Sequence, residues 1–329
     1  METGVMKKPI LLSPAGKDYL WGGEKLKTEY GFKLNLNPFA EAWVCSVHPD
    51  GPSAIEHGEY KGKTLQEILE EHPEYLGTKV YSGEFPILIK LIDAKKDLSV
   101  QVHPDDDYAF QYENQQRGKT ELWYILEADE GARIVYGFEH PVNEEELRSA
   151  IKNGTLSNDL HFVPVHKGDA YLVEAGTVHA IGAGILLAEI QESSNLTYRL
   201  YDYNRVDKNG KKRELHFDKA MQVLNTKPIH LIRRKPRLVK YYYGCTRELV
   251  SRCQYFEVER IQVTKGFSFS VNEESFQVLL CTDGEGGLEV EGSTSNRPYR
   301  FKKGSCIFLP ADLGRCHVIG SCDLLKVRC

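Results

Sequence analysis

Three short segments carry side chains able to hold a metal ion and move protons. In Gln101-Val102-His103-Pro104, Gln101 and His103 stand two residues apart, so in an extended chain both leave one face while Val102 points away. Lys119 and Glu121, in Gly118-Lys119-Thr120-Glu121 at the head of the run Leu122 to Leu126, repeat that spacing. If the two segments are neighbouring strands, four polar groups converge. His179 follows Gly168-Asp169 by a strand and the turn Ala175-Gly176-Thr177-Val178, which brings it to the same pocket. Two imidazoles, one carboxylate and one amide oxygen form a borderline ligand set suited to zinc, with manganese, iron or cobalt as substitutes. With a single anionic ligand the ion keeps residual positive charge and polarises a substrate carbonyl or hydroxyl, which makes the site catalytic rather than structural. His48 and His216 have no evident coordinating partner and read as structural.

Short β-type runs must position these groups. They include Pro86 to Ile92, Leu98 to Val102, Leu122 to Leu126, Arg133 to Tyr136 and Ala170 to Val173, punctuated by Gly, Asp or Pro, a pattern that favours a sandwich or barrel. Helical spacing appears at Thr64 to His72 and at Asn143 to Asn153, where Asn143 and Glu146 suit a reciprocal N-terminal cap. A third helix is expected over Phe217 to Leu224, followed by a basic, Pro-punctuated connection from Lys227 to Lys240. Lys208 to Arg213, centred on Asn209-Gly210, reads as a turn between two strands. Gly304 to Pro310 echoes Gly168 to Glu174, which suggests duplication of one β-sandwich unit.

Composition narrows the function classes. With 329 residues, 41% apolar and 27% charged, the chain has the profile of a folded two-domain or long all-β protein. A net charge of −5 argues against wrapping nucleic acid or adhering to anionic lipid, and the basic stretch lacks the interleaved aromatics of single-strand binders. The apolar run at Ile10 to Leu12 is too short for a signal peptide, and Phe85 to Ile92, broken by Lys90, is too short to span a bilayer. Eight cysteines without a CxxC pair point to reduced thiols and a cytoplasmic location, where the Asn195-Leu196-Thr197 sequon has no role.

Several runs together resemble the type I mannose-6-phosphate isomerases, cupin-fold metalloenzymes, in a short bacterial form. They are Phe85 to Ala94, Leu98 to Asp106, Gly118 to Glu121, Trp21-Gly22-Gly23, Ala175 to Ala180, and Thr197 to Tyr203 with Arg205, so coverage is nearly continuous from about residue 9 to 217. The resemblance implies a mainly β protein with a cupin-type double-stranded β-helix (jelly roll), helical insertions and a second, degenerate jelly roll. Residues 1–228 would form the catalytic unit and 229–329 a cupin-like unit without metal. It implies one Zn2+ per chain, or another divalent metal, on Gln101, His103, Glu121 and His179, with Lys119 and Arg199 as active-site cations. The implied reaction interconverts mannose 6-phosphate and fructose 6-phosphate, moving a proton between C1 and C2 through an enediol, which needs a base, an acid and stabilisation of an oxyanion.

Lys119 suits either proton shuttling at a lowered pKa or holding phosphate, and Arg199 either bidentate phosphate binding or charge stabilisation in the enediol. Tyr198, Tyr201 and Tyr203 suit either the cleft wall or core packing. Two residues depart from the family pattern. Glu174 replaces a usual proline and places an acid near His179, and Asn195 stands where many relatives have aspartate. The degenerate motif Gly304 to Gly314, with His317 alone, implies a second unit that packs on the first and closes the edge of its sheet. The substrate class is a small sugar phosphate, with no nucleic-acid or membrane partner and a monomer or weak homo-oligomer. An oxygenase cupin and a silent sugar-phosphate sensor are the competing functions.

Overall fold

The run Ile87–Ala94 is buried at every position, as expected of a strand covered on both faces. In the computed structural model, which describes residues 7–80, 83–206, 210–229, 238–293 and 297–329, this strand lies within a six-stranded antiparallel sheet. The order is Ala170–Val173, Glu121–Ala128, Ile185–Glu192, Ile87–Ala94, Glu41–Cys45 and Ala15–Lys17. Facing it is a five-stranded sheet ordered Tyr198–Tyr201, Val100–Val102, His179–Ile181, Arg133–Phe138 and Leu160–Pro164. Trp123, Ile125, Ile92 and Leu187 of the first sheet pack with Ile134 and Ile181 of the second to fill the space between them. The outer face of the six-stranded sheet, including Ile89, Leu91, Leu122 and Ile190, joins a core that reaches Phe276 and Phe308. The molecule is mainly β, with one jelly roll, helical additions and a second jelly roll.

The second unit is a ten-stranded sheet dominated by Gln277–Val290 and Gly314–Arg328. The echo noted in the sequence corresponds to one shape used twice: Gly168 and Gly304 take φ of +90° and +89° and lead into the strands Ala170–Val173 and Cys306–Leu309. Among the described residues no C-terminal strand closes an edge of either N-terminal sheet, contrary to expectation. The exchange runs the other way. Ile10–Ser13 pairs with Cys306–Leu309 and carries Ala54–Ile55 on its free side. The alternation of Ile10 and Leu12 explains it, because both side chains complete the core around Phe308 and Val278.

Helices occupy the expected places. Leu65–Glu71 begins at a Thr64 capping box and Glu144–Asn153 at an Asn143 capping box. Phe217–Val223 forms the third. The helix Asp106–Tyr112, capped by Asp105, was not anticipated. Val206 and Lys212 make an antiparallel bridge around the expected turn, whose residues Lys208 and Asn209 lie outside the described residues, as do 230–237 of the basic connection. Among the described residues no helix is long and apolar enough to cross a membrane.

Candidate metal centre and active site

Gln101 and Glu121 do not stand on neighbouring strands. Val100–Val102 belongs to the five-stranded sheet and Glu121–Ala128 to the six-stranded one, so the two pairs meet across the sandwich interior. Strand alternation aims each inward, and facing sheets only about 10 Å apart let long side chains touch. Within the five-stranded sheet Arg199, Gln101, His179 and Tyr136 stand in one cross-strand row. His103 lies one residue beyond its strand. Lys119 is held next to it by its own backbone N–H, which donates to the Pro104 carbonyl at 3.0 Å. Gly118 allows that approach, since a Cβ there would lie 2.4 Å from the Asp105 carbonyl carbon.

The His103, Glu121 and His179 side chains are buried, and their candidate ligand atoms lie within 4.8 Å of one another. His103 Nδ1 donates to the Leu196 carbonyl at 2.7 Å and His179 Nδ1 to the Thr177 carbonyl at 2.8 Å. Those bonds fix the tautomer and turn both Nε2 lone pairs inward. The inward atoms sit 3.4 Å and 3.5 Å from the two Glu121 oxygens, neither of which receives a well-aligned hydrogen bond among the described residues. The Gln101 amide reaches His179 Nε2 at 3.3 Å. Burial, then the Lys119 charge, pushes His103 down to about 3, and burial also lowers His179. Burial opposes the charge on Glu121, but the Lys119 ammonium beside it holds its carboxyl well below the ordinary range. The carboxylate and two imidazole lone pairs thus face one another with only the Lys119 ammonium and the Gln101 amide to supply hydrogens, a set that a divalent cation satisfies. Lys119 Nζ lies 2.5 Å from Glu121 Oε2 and 3.1 Å from His103 Nε2.

A second buried pair adjoins the centre. Lys90 Nζ lies 2.9 Å from Glu189 Oε1, whose other oxygen accepts the Trp123 indole N–H at 3.1 Å. Lys119 Nζ stands 3.9 Å from the same Glu189. Burial works against the Lys90 charge, yet Glu189 and Glu41 hold it above its ordinary value. Sequence reasoning passed over this pair. The available signal was a lysine inside Ile87–Ala94 and a glutamate inside Ile185–Glu192, each on the inward register of its strand, where they pair directly.

Comparison with known proteins places the chain in a family. A model of the type I phosphomannose isomerase catalytic domain matches residues 10–130, and one of the mannose-6-phosphate isomerase cupin domain matches residues 246–329. A mannose-6-phosphate isomerase of Streptococcus mutans is 44% identical over 306 residues, covering 93% of both chains. The chain belongs to the type I phosphomannose isomerase family. ManA of Bacillus subtilis, also a mannose-6-phosphate isomerase, is 36% identical over 322 residues, or 97% of this chain and 98% of that one. The crystal structure of the mannose 6-phosphate isomerase from Bacillus subtilis matches with a TM-score of 0.88 at 36% identity, covering 98% of this chain and 99% of that one. The family is metal-dependent, and His103, Glu121 and His179 form a set that could bind the ion.

The remaining residues singled out in this family member separate into wall and core. Arg199 is half-buried, donating from Nε to Ser99 Oγ at 3.3 Å and from Nη1 to the Glu214 carbonyl at 2.9 Å. Burial, then Arg213, lowers its pKa. His216 accepts the Arg199 backbone N–H at 3.1 Å, a structural role. His48 packs edge-on to Trp43, and its Nδ1 accepts the Asp50 N–H at 3.2 Å. Tyr198 is core, its hydroxyl bonded to Glu113 at 2.7 Å, whereas Tyr203 is exposed against Tyr201. The Glu174 side chain is exposed and its carbonyl accepts the Thr177 N–H, while the charges bearing most on His179 are Glu121, Lys119 and Glu189. Asn195 donates to Asp50 Oδ2 at 2.9 Å.

Proposed function

We propose that this protein interconverts mannose 6-phosphate and fructose 6-phosphate with one Zn2+ per chain held by Gln101, His103, Glu121 and His179. The observation that carries the reading is the buried His103, Glu121 and His179 set, its lone pairs turned inward and the Lys119 ammonium against it. When bound, the ion supplies a Lewis acid that stabilises the developing enediol oxyanion. Lys119, lying among the ligands and within 3.9 Å of Glu189, moves protons at the reacting carbons. The buried Lys90 and Glu189 hold the charge pattern around it. Arg199 binds the phosphate. It stands two strands from His179 in the same row, about 10 Å at ordinary strand spacing, which matches the reach of an extended hexose from its carbonyl end to its phosphate.

The catalytic unit spans residues 1–228 and the metal-free unit 229–329, in a cytoplasmic monomer or weak homo-oligomer without nucleic-acid or membrane partners. Eight free cysteines suit that reducing compartment. Metal analysis together with a coupled isomerase assay tests the reading. About one zinc per chain and turnover of mannose 6-phosphate are expected. Binding of mannose 6-phosphate without turnover would favour a sensor, and iron with oxygen consumption an oxygenase.

A further inference from the structure

The interior mouth of the C-terminal jelly roll is polar over an apolar floor. A cavity of about 410 Å³ opens there, and every residue lining it belongs to the C-terminal unit. Its wall comes from cross-strand rows that share one face. Gln277, Arg328, Glu257 and Arg252 form the outermost row, and Leu279, Lys326, Glu259 and Leu249 the next. Below them Cys281, Leu324 and Ile261 belong to the apolar core of this unit.

The charges do not balance. Five cations line the cavity against two carboxylates, Glu257 and Glu259. Glu259 is saturated by Arg247 at 2.6 Å on one oxygen and Lys326 at 2.9 Å on the other. Glu257 is likewise shared by Arg328 at 2.7 Å and Arg252. Each carboxylate thus neutralises only half of the cation pair that clamps it. Two buried polar atoms are left over: among the described residues Arg247 Nε finds no acceptor and Gln277 Oε1 no donor, although Gln277 Nε2 is bonded to the Ser270 carbonyl at 3.0 Å. Gln277 and Lys326 are each only 6% exposed. Burying an unpaired donor and an unpaired acceptor costs stability unless something answers them, and the partly exposed Arg247, Arg252 and Arg328 leave excess positive charge at the same mouth. An oxyanion answers the Arg247 Nε and the excess charge, and a hydroxyl donor answers the Gln277 oxygen.

We propose that the mouth of the C-terminal jelly roll is a second ligand site, separate from the metal centre, for a small phosphorylated polyol or sugar. Calorimetric titration of the full-length protein with glucitol 6-phosphate, which has no carbonyl and cannot be isomerised, and with inorganic phosphate tests it. Native protein is expected to show two binding events with glucitol 6-phosphate. Arg199→Ala removes one of them. Lys326→Met removes the other. Gln277→Met, a neutral change that keeps the fold should Lys326→Met fail to do so, weakens that second event about tenfold for glucitol 6-phosphate and by less than twofold for inorganic phosphate. A single event in native protein that Lys326→Met and Gln277→Met leave unchanged, or two events unaffected by both substitutions, overturns the proposal. The binding readout does not depend on turnover, so it stands apart from the isomerase assignment.

Discussion

Replacing Glu192 by glutamine should stabilise this protein at neutral and alkaline pH and do little in mild acid. Glu192 is 1% exposed, and its Oε1 accepts the Thr120 N–H at 2.7 Å. Beside it lies Asp106, whose two oxygens already accept the Gly118 N–H and the Tyr255 hydroxyl, each at 2.9 Å. Burial, then the Asp106 charge, pushes the Glu192 carboxyl from 4.5 up to about 8. Between those values the folded protein holds a proton that the unfolded chain releases, so stability falls as pH rises through the window. At about 1.4 kcal/mol per pH unit the loss is about 3 kcal/mol by pH 7 and about 5 kcal/mol above pH 9. Glutamine keeps the acceptor for Thr120 and supplies a permanent donor toward Asp106, so it reproduces the protonated acid without the titration. Denaturant unfolding of both proteins at intervals from about pH 4.5 to 9 should give curves that diverge steadily as pH rises and run level above the folded pKa. Parallel curves would refute a buried, neutral Glu192.

Metal content should fall in His103→Ala and Glu121→Gln, while Lys119→Met lowers turnover with the metal still bound; equal metal loss in all three would dissolve the division of roles. Gly118→Ala places a Cβ 2.4 Å from the Asp105 carbonyl carbon, so it should cost about 1–3 kcal/mol of stability and displace Lys119, a change visible as a fall in kcat at unchanged metal content. Thr64→Ala removes the side-chain acceptor for the Glu67 N–H at 3.2 Å and should cost about 1 kcal/mol in thermal unfolding, with no effect on metal binding or turnover. A Thr64→Ala protein that lost metal would contradict the separation of that helix from the site.

The features legible in the chain are those that depend on neighbours a few residues away. Asn143 and Glu146 announce the start of Glu144–Asn153 because a capping box closes within one turn. Ala170–Val173 is bounded as expected because Gly168 supplies the turn that starts it. The inward aim of Gln101, with His103 two residues on, and of Glu121, with Lys119 two residues before it, follows from strand alternation, so the candidate ligands could be named before the fold was known. Family-level motifs then joined them to a reaction.

Which partner each inward residue meets was decided by the tertiary structure. Lys90 finds Glu189 at a separation of 99 residues, and although each stands out within a buried strand, nothing local to either strand says that the two pair. His103 and Glu121 meet across two sheets rather than along one, and Ile10–Ser13 leaves the half of the chain in which it begins to extend the other. Alternation records the direction of a side chain relative to its own backbone. Partner choice depends on how the sheets stack, which is set by the summed burial of apolar side chains from distant segments, and that sum has no short-range signature in the sequence.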